Sequence, residues 1–205
     1  NAGSVYYAAH TRNVESLGGL MKKMPFTALL FLAGSLAICG LPPFNGFISE
    51  YLIYAGMFKS LASASLYQSL ALLASIAGLA LTGGLAVFCF TKAFGIVFLG
   101  QPRTIKAAAA EEVHKGMLIP QLLPLSLLIL IGLASPFFLK PVFDIVSGGF
   151  GLEPAGLQEE TMTASLGAVS ILGGIFVVLT TILLIVRKSH LATKEVSSGP
   201  VWGCG

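Results

Sequence analysis

The chain has 205 residues, of which 55% are hydrophobic and only 10% charged, with a formal net charge of +3. Soluble domains carry about 25% charged residues, so this composition excludes an ordinary water-facing surface and makes lipid the natural solvent. The net charge is too small to imply nucleic acid, and no Lys/Arg cluster resembles a phosphate-tracking patch.

In chain order, Asn1–Ala9 reads as the end of a helix. A polar stretch of mixed charge, His10 to Lys23, then precedes the first long apolar run, so no signal peptide opens the chain. This start and the abrupt stop at Gly205 suggest a piece of a longer protein. Four apolar stretches follow, at about 25–58, 68–99, 117–139 and 163–186. The expected fold is an all-α integral membrane bundle, a single membrane domain over 1–205. A straight span needs about 20 residues. The third and fourth stretches fit that length, whereas the first two are long enough that each must tilt, kink or break.

The charges between the stretches test this division. Arg12, Lys22 and Lys23 precede the first, Arg103, Lys106 and Lys115 separate the second from the third, and Arg187, Lys188 and Lys194 follow the fourth. Four crossings put all nine on one side. The other side has Lys59 and Lys140, with Asp144, Glu153, Glu159 and Glu160. Basic loops are cytoplasmic, so the N-terminal loop, the middle loop (100–116) and the C-terminal tail are expected in the cytoplasm, with the chain in the cell's inner or plasma membrane. Residues 101–115 read as either a short interfacial helix or a solvated connector. Residues 141–160, rich in glycine and acid, read as an external loop.

The first stretch contains Gly40-Leu41-Pro42-Pro43-Phe44-Asn45-Gly46. Two consecutive prolines remove two backbone donors and disfavour helix in the residue before each. The helix should therefore end near Leu41 and restart near Gly46, leaving backbone groups free at membrane depth. Such backbone is tolerated only against protein or a water-lined cavity, and discontinuous helices of this kind mark ion pathways in transporters. A plain proline kink without an ionic role is the competing reading. Glu50 weighs against it. A carboxylate in hydrocarbon is expensive, so it is paired, hydrated or protonated. Asn45 and Ser49 are near enough in sequence to bond it or to hold water.

Lys92, in Phe88-Cys89-Phe90-Thr91-Lys92-Ala93-Phe94-Gly95, is the other charge inside an apolar stretch. Its long stem could snorkel to the nearby surface, or its ammonium could be buried and exchange protons. Thr82-Gly83-Gly84, in the middle of the same stretch, suits close packing or a local bend. His10, beside Thr11-Arg12, reads as an interfacial histidine or as a proton-uptake group. His114 and His190 fall in polar segments and receive no role. Cys39, Cys89 and Cys204 are too scattered for an iron–sulfur cluster or structural zinc, and no nucleophile–base set or phosphate loop suggests an enzyme acting alone.

His10-Thr11-Arg12-Asn13-Val14-Glu15-Ser16-Leu17-Gly18-Gly19-Leu20 with Met24-Pro25 resembles a loop of the antiporter-like subunits of respiratory complex I and its relatives. Gly40 to Glu50 is similar to their late broken helix, and Lys92 to Gly100 resembles the next helix in the hydrogenase branch. Trp202-Gly203-Cys204-Gly205 is similar to a motif of the hydrogenase-4 and formate hydrogenlyase type. The resemblance implies a proton-translocating membrane subunit with Glu50 at the exchange position on the broken helix. It also implies other membrane subunits and a peripheral redox module as partners, with iron–sulfur clusters and a nickel–iron centre there and no cofactor in this chain. The family's earlier broken helix has no counterpart in these residues. A multi-subunit sodium or potassium/proton antiporter and a structural membrane anchor are the rival expectations.

Overall fold

Helices alone make up the regular structure among the described residues, as apolar runs bounded by Gly, Pro and Ser caps require. The computed structural model of the chain describes residues 1–150 and 156–192. Glu153, Lys194 and the terminal Trp202–Gly205 motif lie outside the described residues. The order is α1 (Ala2–Ala9), α2 (Pro25–Ile38), α3 (Asn45–Leu61), α4 (Leu66–Phe98), α5 (Ile105–Ala108), α6 (Lys115–Leu133), α7 (Ser135–Phe150) and α8 (Gly156–Ala192). Of these, α4, α6 and α8 contain segments long and apolar enough to cross a membrane, and α2 is a shorter apolar helix.

Local chemistry sets the helix ends. His10 closes α1 in the left-handed conformation (φ 52°), with its N–H donating to the Tyr6 carbonyl. Pro25 opens α2, where its missing N–H has no helical partner to lose. Ser65 and Gln68 form a reciprocal capping box at the start of α4. From there α4 runs unbroken through Gly83 and Gly84 to Phe98. The hydroxyls of Ser75 and Thr82 donate to the Ala71 and Gly78 carbonyls one turn back, which satisfies them inside an apolar helix.

Two compact units are present. The first comprises Asn1–Cys39 and Met57–Ser126. Its core holds Leu20, Met24, Ala28 and Phe98, all essentially inaccessible. The rings of Phe31 and Phe94 lie 5.3 Å from that of Phe98, tying α2 to α4. At one end of this unit the segments around 10–24 and 99–114 are laced together. Gly19 N–H donates to the Leu99 carbonyl at 2.9 Å, and the Thr104 hydroxyl donates to the Ser16 carbonyl at 2.8 Å. Gly18 and Gly19 both have positive φ, and a Cβ on Gly18 would lie 2.6 Å from the Gln101 carbonyl oxygen. Only glycine fits there. The first and middle polar segments therefore lie together at one end of this unit. The middle one contains the four-residue helix α5, N-capped by Thr104.

The second unit comprises Gly40–Gly56 and the described residues from Leu127 onward. Here the structure departs from expectation. Hydropathy predicts a third span at 117–139 followed by an external loop; instead α6 stops at Leu133 and a separate helix, α7, covers Ser135–Phe150. Pro141 and the glycines at 148 and 149 argue locally against helix, but Leu139 is buried with Ile48 of α3 and Leu166 of α8, and Phe143 packs beside them. Burial of these side chains favours α7 against the local cost of Pro141 and of about 1 kcal/mol per glycine.

Many large apolar side chains remain uncovered. On α4, Leu81 is 65% and Phe88 69% exposed, and none of that helix's most apolar window is buried within the chain. Surfaces of this kind are made for lipid or for other subunits.

Candidate functional site

The break between α2 and α3 is where local sequence and packing converge. Helix α2 ends at Ile38, α3 begins at Asn45, and residues 39–44 are non-helical, so the discontinuity expected at Gly40–Gly46 is present. Cys39 N–H still bonds the Ser35 carbonyl at 3.0 Å, after which Gly40 turns the chain at φ 64°. The Pro42–Pro43 peptide is cis. Phe44 N–H then donates to the Leu41 carbonyl at 3.2 Å, and Phe47 N–H to that of Phe44 at 3.2 Å. Two prolines without donors thus sit in a turn that reuses the few amides available.

Glycines receive this turn. A Cβ on Gly132 of α6 would overlap the Pro43 carbonyl oxygen and lie 2.8 Å from the Phe44 carbonyl carbon. Gly173 of α8 faces Pro43, whose own Cβ stands 3.7 Å from where a Gly173 Cβ would be. The irregular backbone is therefore packed against protein, the condition under which it is tolerated at membrane depth.

Glu50 returns to the same turn. A Cβ on Gly40 would lie 2.7 Å from the Glu50 Cδ and Oε2 and 2.8 Å from Oε1. The carboxylate thus occupies the space that any other residue at 40 would fill. Glu50 is half-buried, and its oxygens have no hydrogen-bond partner among the described residues. Ser49, next to it, donates to the Gly46 carbonyl at 2.9 Å. Asn45, Ser49 and Ile48 line one side of a cavity of about 180 Å³ whose other walls include Ser135, Leu139 and Leu166.

The remaining expected residues lie in the first unit. Lys92 is exposed on α4 and has no hydrogen-bond partner among the described residues, so within this chain its ammonium is not buried. His10 is exposed, and its backbone closes α1. Beside it the Arg12 guanidinium lies 5.0 Å from the centre of the Tyr6 ring, a cation–π contact that holds the loop against α1.

Sequence reasoning missed Glu112. Its Oε2 accepts hydrogen bonds from the Phe26 and Thr27 N–H groups at 2.8 and 3.2 Å, and its Oε1 accepts from the Thr27 hydroxyl at 2.6 Å. A carboxylate from a distant loop thereby caps α2, whose own Met24 supplies no side-chain cap. A helix opening on Met-Pro-Phe, with no Ser, Thr, Asp or Asn before it, was the available signal that a cap comes from elsewhere.

Residues 1–77 match the family described as NADH:quinone oxidoreductase/Mrp antiporter, TM; the match holds His10, the break and Glu50 and stops short of Lys92. Hydrogenase-4 component B of Escherichia coli (strain K12) is 35% identical over all of this chain and 31% of its own length. Formate hydrogenlyase subunit 3 of the same organism is 33% identical over all of this chain and 32% of its own. A Na(+)/H(+) antiporter subunit of Bacillus subtilis (strain 168) is 31% identical over 75% of this chain and 18% of its own. The chain spans about a third of the length of the first two relatives. With a broken helix cradled by glycines and similarity running from end to end, the chain belongs to the antiporter-like membrane subunits of the complex I and membrane-bound hydrogenase superfamily.

Proposed function

We propose that the chain is part of a proton-translocating membrane subunit of a complex I-like oxidoreductase or membrane-bound hydrogenase. In this reading Glu50 loads and unloads a proton at the helix break. The observation that carries it is the half-buried Glu50 carboxylate, folded onto Gly40 and without a hydrogen-bond partner among the described residues. A carboxylate without hydrogen bonds in such a place is sensitive to small changes in charge and hydration around it, as an exchanging group must be. Lys92 and His10 are the other proton-transfer groups of the proposal. Gly40, Pro42, Pro43, Asn45 and Gly46 form the broken element that gives Glu50 its surroundings.

The chain has no catalytic role of its own in this scheme. Partner membrane subunits would complete the path, and a peripheral redox module with iron–sulfur and nickel–iron centres would drive it. The polar end where Arg12, Lys22, Lys23, Arg103 and Lys106 gather in the sequence would face the cytoplasm from the cell's inner or plasma membrane. Similarity to a Na(+)/H(+) antiporter subunit favours a second reading, in which the same exchange moves sodium or potassium against protons without redox chemistry.

The test uses the intact complex in proteoliposomes, with a pH-sensitive dye reporting proton movement with and without sodium and potassium. Redox-driven, sodium-independent acidification that Glu50→Gln abolishes, in a complex still assembled, is the expected result. Full transport in that variant refutes the role of Glu50, and transport that needs sodium or potassium but no electron donor transfers the chain to the antiporter reading.

A further inference from the structure

A cavity of about 540 Å³ in the first unit contains none of the groups assigned to proton transfer. Its walls are apolar: Val5 of α1, Leu17 of the loop that follows, Phe31 of α2, and Val97 and Phe98 of α4. All but Phe31 of these five are buried, so the packing that ties α2 to α4 also fixes the shape of the cavity. Ala93 continues the α4 wall one turn before Val97. Sites that take small organic molecules have volumes of about 300–1,000 Å³ and are mainly apolar, with a few polar groups that set orientation. This cavity has both properties.

Its polar groups lie at one end. Thr11 and Arg12 come from the loop that is laced to residues 99–114. The Arg12 guanidinium rests on the Tyr6 ring, 5.0 Å from its centre, which leaves the donors around its edge free for an acceptor in the plane. No carboxylate among the described residues forms an ion pair with it. Glu15 is exposed and makes none, and Glu112 is committed to the Phe26 and Thr27 amides. Arg103 adds a second cation to this end, its Cγ 3.5 Å from where a Gly18 Cβ would be. Tyr6 and Tyr7 are 47% and 63% exposed on α1, as tyrosines at the level of lipid head groups commonly are. An apolar hollow with an unpaired arginine at its polar end complements an anionic amphiphile, because a guanidinium fork matches a phosphate in shape and charge and basic groups at the membrane surface attract anionic lipid.

We propose that this cavity binds an anionic phospholipid, with an acyl chain against Val5, Phe31 and Val97 and the head-group phosphate on Arg12. The site is independent of the role of Glu50. Gly3 gives the means to close it: the residue lines the cavity, and a Cβ there would meet nothing within 4 Å, so a larger side chain enters open space without displacing packed atoms.

The test uses the intact complex with two lipids that carry a photoactivatable diazirine in the acyl chain, phosphatidylglycerol and the uncharged diacylglycerol, and maps the crosslinks by mass spectrometry. Phosphatidylglycerol should label residues 2–17 and 93–98 about tenfold more than diacylglycerol does, the effect of one charge-assisted hydrogen bond. Arg12→Gln should lower its labelling to the diacylglycerol level and leave diacylglycerol unchanged, whereas Gly3→Phe should remove both. Should Gly3→Phe fail to assemble, Arg12→Gln, on an exposed loop position, carries the comparison. Equal labelling by the two lipids in the parent complex, or full phosphatidylglycerol labelling in Arg12→Gln, overturns the proposal. No label on these residues from either lipid shows that protein covers the cavity in the complex, and overturns it too.

Discussion

Gly40 and Glu50 constrain each other. The positive φ at Gly40 would cost a non-glycine residue about 1–2 kcal/mol, and a Cβ there would also collide with the Glu50 carboxyl. Gly40→Ala is therefore expected to do two things: lower the thermal stability of the purified complex modestly and, by displacing the carboxyl group, reduce proton transport far more than that loss explains. Equal transport in the variant and the parent would show that the placement of the carboxyl does not matter. Glu50 itself was legible in the sequence because a lone acid between apolar residues, just past Pro-Pro, has few structural uses. The hydrogen bond between Ser135 of α7 and Ser170 of α8 was not legible. A serine in an apolar helix ordinarily bonds its own backbone, and only the packing of α7 on α8 shows that these two do not.

Among the elements, α2 depends on a residue far away in sequence. With Glu112→Ala, the Phe26 and Thr27 amides lose their acceptor at the helix N-terminus, a change expected to destabilise the protein by about 1–2 kcal/mol. Glu112→Gln keeps an acceptor oxygen but loses the charge favoured at that end, and about 0.3–1 kcal/mol is expected. Thermal denaturation of the purified complex, with the two variants ranked in that order, checks the capping role. The break between α2 and α3 was legible because proline, glycine and donor loss act within a few residues. Its cradle was not. Gly132 and Gly173 look like any membrane-helix glycines until the Pro43 carbonyl is placed against one and its ring against the other. Gly132→Ala forces that carbonyl away and is expected to cost about 1–3 kcal/mol as an overpacked contact, measured in the same way. Helix α7 escaped the sequence reading for a related reason: Pro141, Gly148 and Gly149 speak locally for a loop, and only the burial of Leu139 reverses them.

At the scale of the whole molecule, the all-helical membrane character was legible from hydropathy, which acts over whole segments; of the four apolar stretches, three correspond to described helices long and apolar enough to cross a membrane. The lacing of residues 10–24 to 99–114 adds a physical link between two segments that charge had merely grouped together. If those segments face the cytoplasm, single cysteines placed at Arg103 and at Lys59 in a background lacking the native thiols should label from opposite sides of sealed vesicles. Labelling of both from one side would contradict the division into spans. The bare faces of α4, α6 and α8 call for neighbours, and relatives about three times as long supply a natural source of them.

The central claim is that the carboxyl group at residue 50 changes its protonation as the complex works. Infrared difference spectroscopy of the intact complex, triggered by its electron donor, reads this directly. The account predicts a protonated-carboxyl band that appears or vanishes on turnover and is missing in Glu50→Gln. A turnover-dependent carboxyl spectrum identical in the two proteins would contradict it.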